Sequence, residues 1–210
     1  MVNTQTFWAI NKKHFKIIQY LVDKHMKQIN KIINGTFSRK QILVLFIITN
    51  MVYAYMLIVS IPNTMVFSNN MKLLDMMPFG YDAVYVNLLF DQLGTIGRKT
   101  YLTTQIPIDM VYPLLFAITY SLLLIYFFNK IVRSHTILKY LSILPIVAGL
   151  SDYLENIGII TLLNNYPNHS ISMVSTTNIF SIIKSSTTSI SFLVILILLL
   201  IMGVNSLKKL

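Results

Sequence analysis

Hydrophobic positions along the chain gather into long runs broken by short polar stretches. Four runs, at about 41–61, 108–128, 139–163 and 187–204, approach or exceed the length needed to cross a hydrocarbon layer of about 30 Å at about 1.5 Å per residue. They predict an all-α polytopic membrane protein built as a four-helix transmembrane bundle. Pro62 is expected to end the first span, and Asn129-Lys130 the second. Residues 5–33 carry a different pattern. Ile18, Leu21, Val22, Met26, Ile29, Ile32 and Ile33 recur at helical spacing, while Lys13, Lys16, Lys24, Lys27 and Lys31 fill much of the remainder. Residues 1–38 are therefore expected to form a basic amphipathic helix lying on the cytoplasmic leaflet, with packing against the bundle as the alternative.

The connection over 62–107 is too long for a simple loop and carries its own helical signals. Asp82 is placed to cap a short helix with Val84, Tyr85, Leu88, Leu89 and Phe90 on its apolar side, and Gly94 ends it. A second segment, from Gly94 to Gln105, leads into the second span. From there Arg98, Tyr101, Gln105, Asp109, Tyr112, Phe116 and Tyr120 advance in steps of three or four, so one continuous helix would present a polar and aromatic face. Pro107 predicts a kink or restart within that face. The whole connection reads as a partly helical cap on or in the outer membrane surface.

Polar residues inside the spans change the picture from a plain bundle to one with a site. Asp152 and Glu155 sit one turn apart in the third run, followed by Asn156, and ionisable groups at membrane depth mark a functional position by default. Counting from Lys139 at about 1.5 Å per residue places Asp152 roughly 20 Å and Glu155 roughly 24 Å along the helix, in its outer half. Asp109 and Tyr112 enter from outside on the second span, and the hydroxyl-rich start of the fourth span lies at that level too. The candidate site is thus Arg98, Tyr101, Asp109, Tyr112, Asp152, Glu155 and Asn156, with Asp152, Glu155 and Asp109 as the candidate catalytic groups and Arg98 as the expected cation. Lys184 is expected to snorkel at the outer end of the last span.

Composition narrows the chemistry. The net charge is +10 and the hydrophobic content 55%, but the cations flank apolar runs and form no stripe on a soluble module, which argues against nucleic acid and for anionic lipid. They mark the N-terminus, the 130–139 turn and the C-terminus, so both termini are expected in the cytoplasm, in a bacterial inner membrane. The chain has no cysteine, which excludes disulfides, thiol nucleophiles and thiolate metal sites. Neither metal nor cofactor is implied by any motif. Asn168-His169-Ser170 matches a glycosylation sequon, relevant only in a eukaryote.

The segments Gly94-x-x-Gly97-Arg98-x-x-Tyr101, Asp109-x-x-Tyr112-Pro113 and Asp152-x-x-Glu155-Asn156 together resemble those of small bacterial four-span membrane proteins without an assigned activity. The resemblance covers about residues 78–200 and implies the architecture alone. In size the chain is also similar to vitamin K epoxide reductase-like and sterol isomerase-like bundles. The missing cysteines set the first apart, and the acidic and aromatic set of the second has no residue-by-residue match. Binding or processing of a lipid or small amphiphile is the expected function, with membrane lipids as partners. A structural subunit locked by buried ion pairs is the alternative, followed by a proton- or cation-coupled transporter.

Overall fold

The computed structural model describes residues 37–131 and 137–208. The amphipathic helix expected over residues 5–33 lies outside them. Helix is the only regular structure among the described residues, with no strand, and four of their helices are long and apolar enough to cross a membrane.

The first span, α1, runs from Arg39 to Ser68. Ser38 starts it with a reciprocal cap: its Oγ accepts from the Gln41 N–H at 3.3 Å, and Gln41 Oε1 accepts from the Ser38 N–H at 2.8 Å. The helix does not end at Pro62. A π turn over Met56–Ser60 precedes the proline, with the Ile61 N–H bonding to the Met56 carbonyl, and an α-helical turn, Ile61–Met65, follows. A proline ring collides with the carbonyl four residues back, and a wider turn moves that carbonyl aside. The same device recurs at the second interruption. The cap helix α2, Ala83–Thr100, continues through a π turn at Tyr101–Gln105 into Ile106–Asp109, so Pro107 is carried as Pro62 is.

α2 begins as its sequence dictates, with Asp82 Oδ1 accepting from the Tyr85 N–H at 2.8 Å. Gly94 breaks it, at φ 58° and ψ −172°, a conformation that side chains disfavour. The next span, α3, covers Tyr112–Ile131, and α4, Leu144–Asn165, follows a 3₁₀ stretch over Ile137–Ile143. The last helix, α5, differs most from expectation. It starts at Ile171, capped by Ser170, and reaches Leu207 over 37 residues. At about 1.5 Å per residue this is about 55 Å, well beyond a hydrocarbon layer. The hydroxyl-rich stretch before 187 is therefore helix, and only residues 166–170 link α4 to α5.

α4 is the central element, packed along α5 on one side and α3 on the other, while α1 leans on α3. Two glycines set the crossings. A Cβ at Gly149 would stand 2.7 Å from the Pro113 carbonyl oxygen of α3, and one at Gly158 would stand 2.3 Å from Thr177 Oγ1 of α5. α1 and α5 turn most of their apolar surface outward, as lipid-facing helices do. Inside, two apolar cores form. One joins the cap to the ends of α4 and α5 through Leu73, Leu74, Leu89, Phe90, Ile159, Leu162 and Val174. The other, at the opposite end, joins α3, α4 and α5 through Phe116, Tyr120, Leu124, Phe128, Ala148, Ile195 and Leu198.

The Gly158 contact yields a direct test of the α4–α5 crossing. Gly158→Ala should lower the thermal unfolding midpoint in detergent, at a cost of about 1–3 kcal/mol from overpacking. Adding Thr177→Ala should restore most of it. A Gly158→Ala protein as stable as wild type would contradict the close approach.

Candidate functional site

A layer of polar side chains separates the two cores, and Lys184 of α5 is its centre. The early start of α5 places this residue inside the helix, facing α4, and no longer at a frayed end. Its ammonium lies 2.5 Å from Glu155 Oε2 and 3.4 Å from Asp152 Oδ1. It also donates to the Asp75 carbonyl oxygen at 3.3 Å. Glu155 is completely buried, and its ion pair with Lys184 answers its charge; Asp152, one turn earlier, is 6% exposed and reaches open space. Asp109 and Asp75 line the same cavity as the ammonium. One lysine thus shares this layer with four carboxyl groups.

Asp75 belongs to the cap, on a 3₁₀ turn between Leu74 and Met76. Its carboxylate is well held: Tyr101 donates to Oδ1 at 2.6 Å and Gln105 Nε2 to Oδ2 at 3.1 Å. Gln105 in turn accepts from Ser60 Oγ at 2.5 Å. Ser60 and Gln105 are the last residues of the two π turns, so the turns that accommodate the prolines also supply this chain of hydrogen bonds from α1 to the cap.

Asp109 ends the helical piece after Pro107, 4% exposed, with Asn156 of α4 beside it. Among the described residues no cation stands within ion-pair distance of Asp109. Asn156 is fully buried, and neither of its amide atoms makes a well-formed hydrogen bond. Tyr81 also approaches the cluster from the cap, where burial first, and then the Glu155 carboxylate, push its phenol above the ordinary range.

These groups border a cavity of about 330 Å³. Asp75, Asp109, Asp152 and Lys184 form its charged wall, with Ser185 and Thr188 of α5 adding hydroxyls. Tyr53, Tyr112, Phe116 and Phe192 form an aromatic wall, and Met56, Leu57 and Ile61 close the α1 side. A second cavity of about 530 Å³ lies between α1 and α5 over α3, lined mainly by apolar side chains such as Ile42, Phe46, Leu123 and Ile195, with Arg39 and Asn50 also on its wall. Phe192 borders both. The two cavities thus lie side by side, one charged and one mainly apolar, each of the size range that holds small ligands.

The expected site residues divide. Asp109, Tyr112 and Asp152 line the cavity, Glu155 and Asn156 lie buried behind its wall, and Tyr101 is buried against Asp75. Arg98 does not serve as their cation. Its guanidinium donates to the Phe90 carbonyl at 2.6 Å and covers the Tyr166 ring at 4.5 Å from the centroid, while Tyr166 donates to Asp91. The carbonyl it captures belongs to the last turn before the Gly94 break, where helix acceptors lack partners. Lys184 takes the role assigned to Arg98, and it sits within the bundle instead of snorkelling. Two further residues, Asp75 and Gln105, complete the polar layer. The sequence signal for Lys184 is its position as the sole charged residue between Glu155 and Lys208, and for Asp75 the apolar run Leu73-Leu74-Asp75-Met76-Met77 around it.

Among the described residues no three histidine, aspartate or glutamate side chains converge as ligands for a metal ion. Comparison of the chain with protein-family models, curated proteins and solved structures gives no match.

Lys184→Met should strand Glu155 and Asp152, at a cost of about 3–5 kcal/mol for a broken buried pair, read as a large drop in unfolding midpoint in detergent. Adding Glu155→Gln should recover much of the loss. The same Glu155→Gln change in an Arg98→Met background should bring no recovery, which separates the two cations experimentally.

Proposed function

We propose that this protein binds an amphiphile within the membrane, the polar group entering the charged cavity and the apolar chain lying in the groove between α1 and α5. The observation that supports this reading is the adjacency of two spaces: a cavity walled by Asp109, Asp152 and Lys184 lies across Phe192 from a larger, mainly apolar one. Carboxyl groups serving only to lock helices would be expected to pack without such space beside them. Part of the layer does act as a lock, since Glu155 and Lys184 tie α4 to α5 and Lys184 reaches the cap. Asp109 and Asp152 face the opening, and on them the binding role rests. In this reading the basic flanks keep both termini in the cytoplasm of a bacterial inner membrane, and the charged end lies in the outer half. Chemistry on the bound molecule would use Asp109 or Asp152 as the proton-transfer group, because the third carboxyl group on the cavity wall, Asp75, is already engaged by Tyr101 and Gln105.

Native mass spectrometry of the full chain, released from nanodiscs of its host membrane lipids, tests the proposal. One amphiphile per chain is expected on wild type. Thr188→Trp, which fills the cavity, should abolish it, and Leu200→Trp, on the lipid-facing side of α5, should not. A wild-type chain free of any bound amphiphile, before and after incubation with host lipid extract, would overturn it.

A further inference from the structure

Resting on that reading of the groove, we propose that the head of the amphiphile is an alkylammonium cation. Two independent features of the cavity favour positive charge. The first is the imbalance among the ionisable side chains on its wall: a single ammonium, Lys184, against the carboxyl groups of Asp75, Asp109 and Asp152. That ammonium is already engaged by Glu155 at 2.5 Å and Asp152 at 3.4 Å. Asp109, nearly buried on the cavity wall, has no cation of its own among the described residues. A carboxylate in an apolar interior is costly unless paired, so a cationic head placed between Asp109 and Asp152 supplies what the protein omits. An anionic head would instead add to this surplus of carboxyl groups, against a lysine that is already paired.

The second feature is the aromatic wall. Tyr53 and Tyr112 stack at 5.2 Å between centroids, Phe116 lies 5.7 Å from Tyr112, and Phe192 lies 6.0 Å from Phe116. All four rings border the same cavity as Asp109 and Asp152. Ring faces carry negative quadrupole potential and attract cations, most of all quaternary ammonium groups that no longer need hydrogen-bond acceptors. Aromatic rings beside carboxyl groups on one cavity wall therefore favour an ammonium over a phosphate, a sulfate or a neutral hydroxyl. The apolar cavity beyond Phe192 then takes the hydrocarbon chain, which distinguishes an amphiphile from a free soluble cation.

Binding of four probes of equal chain length to the full chain in maltoside micelles, counted by native mass spectrometry, tests the assignment. Hexadecyltrimethylammonium and hexadecylamine should bind at least ten-fold more tightly than hexadecanol, and hexadecyl phosphate no better than hexadecanol. Asp109→Asn should remove at least ten-fold of the ammonium affinity, while a helical circular dichroism spectrum and a cooperative unfolding transition in detergent show that the variant is folded. Phe116→Leu should weaken trimethylammonium more than the primary amine. Equal binding of hexadecanol, preference for the phosphate, or an Asp109→Asn protein with full ammonium affinity would overturn the assignment while leaving amphiphile binding intact. Strong competition by tetramethylammonium alone would make the ligand a soluble cation and overturn it as well. Failure of every hexadecyl probe to bind would overturn the amphiphile reading itself.

Discussion

A single ammonium group held inside an apolar bundle is the constraint on which the rest of the structure depends. Lys184 brings together Glu155 and Asp152 of α4 and the backbone of the cap at Asp75. Three chain segments that are far apart in sequence share one charge. Removing any of them from its place exposes an ion to hydrocarbon, so their relative positions are fixed far more tightly than apolar packing alone would require. The layer also divides the interior. Two apolar cores lie on either side, and the proposed binding space opens where the layer meets α1 and α3.

The two π turns are the backbone counterpart of this arrangement. Prolines at positions 62 and 107 would each break a regular helix, yet both chains continue because a wider turn precedes the ring. The widened turns face each other through Ser60 and Gln105, and Gln105 passes the contact on to Asp75. Local backbone irregularity thus coincides with the charged layer, as irregular turns in membrane helices do where they border polar space.

Much of this was legible in the sequence, and the omissions have specific causes. The four apolar runs announce four spans because nothing else explains their length. Asp152, Glu155, Asp109 and Tyr112 stand out as polar groups at helical spacing in apolar surroundings. Lys184 escapes the pattern because the hydroxyl residues that follow it, from Ser185 on, look like the start of the fourth span, which puts the lysine at a helix end. The cap on Ser170 extends the helix and reverses that conclusion. Arg98 misled for the opposite reason: a large cation close in sequence to Asp109 is drawn to a nearer acceptor, freed by the break at Gly94. Asp75 was hidden in a connection whose fold depends on contacts with α4 and α5, which no local pattern encodes.

The cap is keyed to α5 at several points besides the lysine. The Tyr81 N–H donates to Asn178 Oδ1 at 2.8 Å, Ser181 Oγ donates to the Met77 carbonyl at 3.3 Å, and Gly80 leaves no room for a Cβ beside Asn178. Cap, α4 and α5 therefore form one jaw of fixed shape. α1 is held beside this jaw at two heights: on α3 through Thr49 and Thr119 at 2.8 Å and Asn50 and Tyr120 at 3.1 Å, and at the cap through Ser60 and Gln105 at 2.5 Å. The cavity between them is therefore framed at both ends, and a shift of α1 at Ser60 is passed through Gln105 to the carboxylate of Asp75.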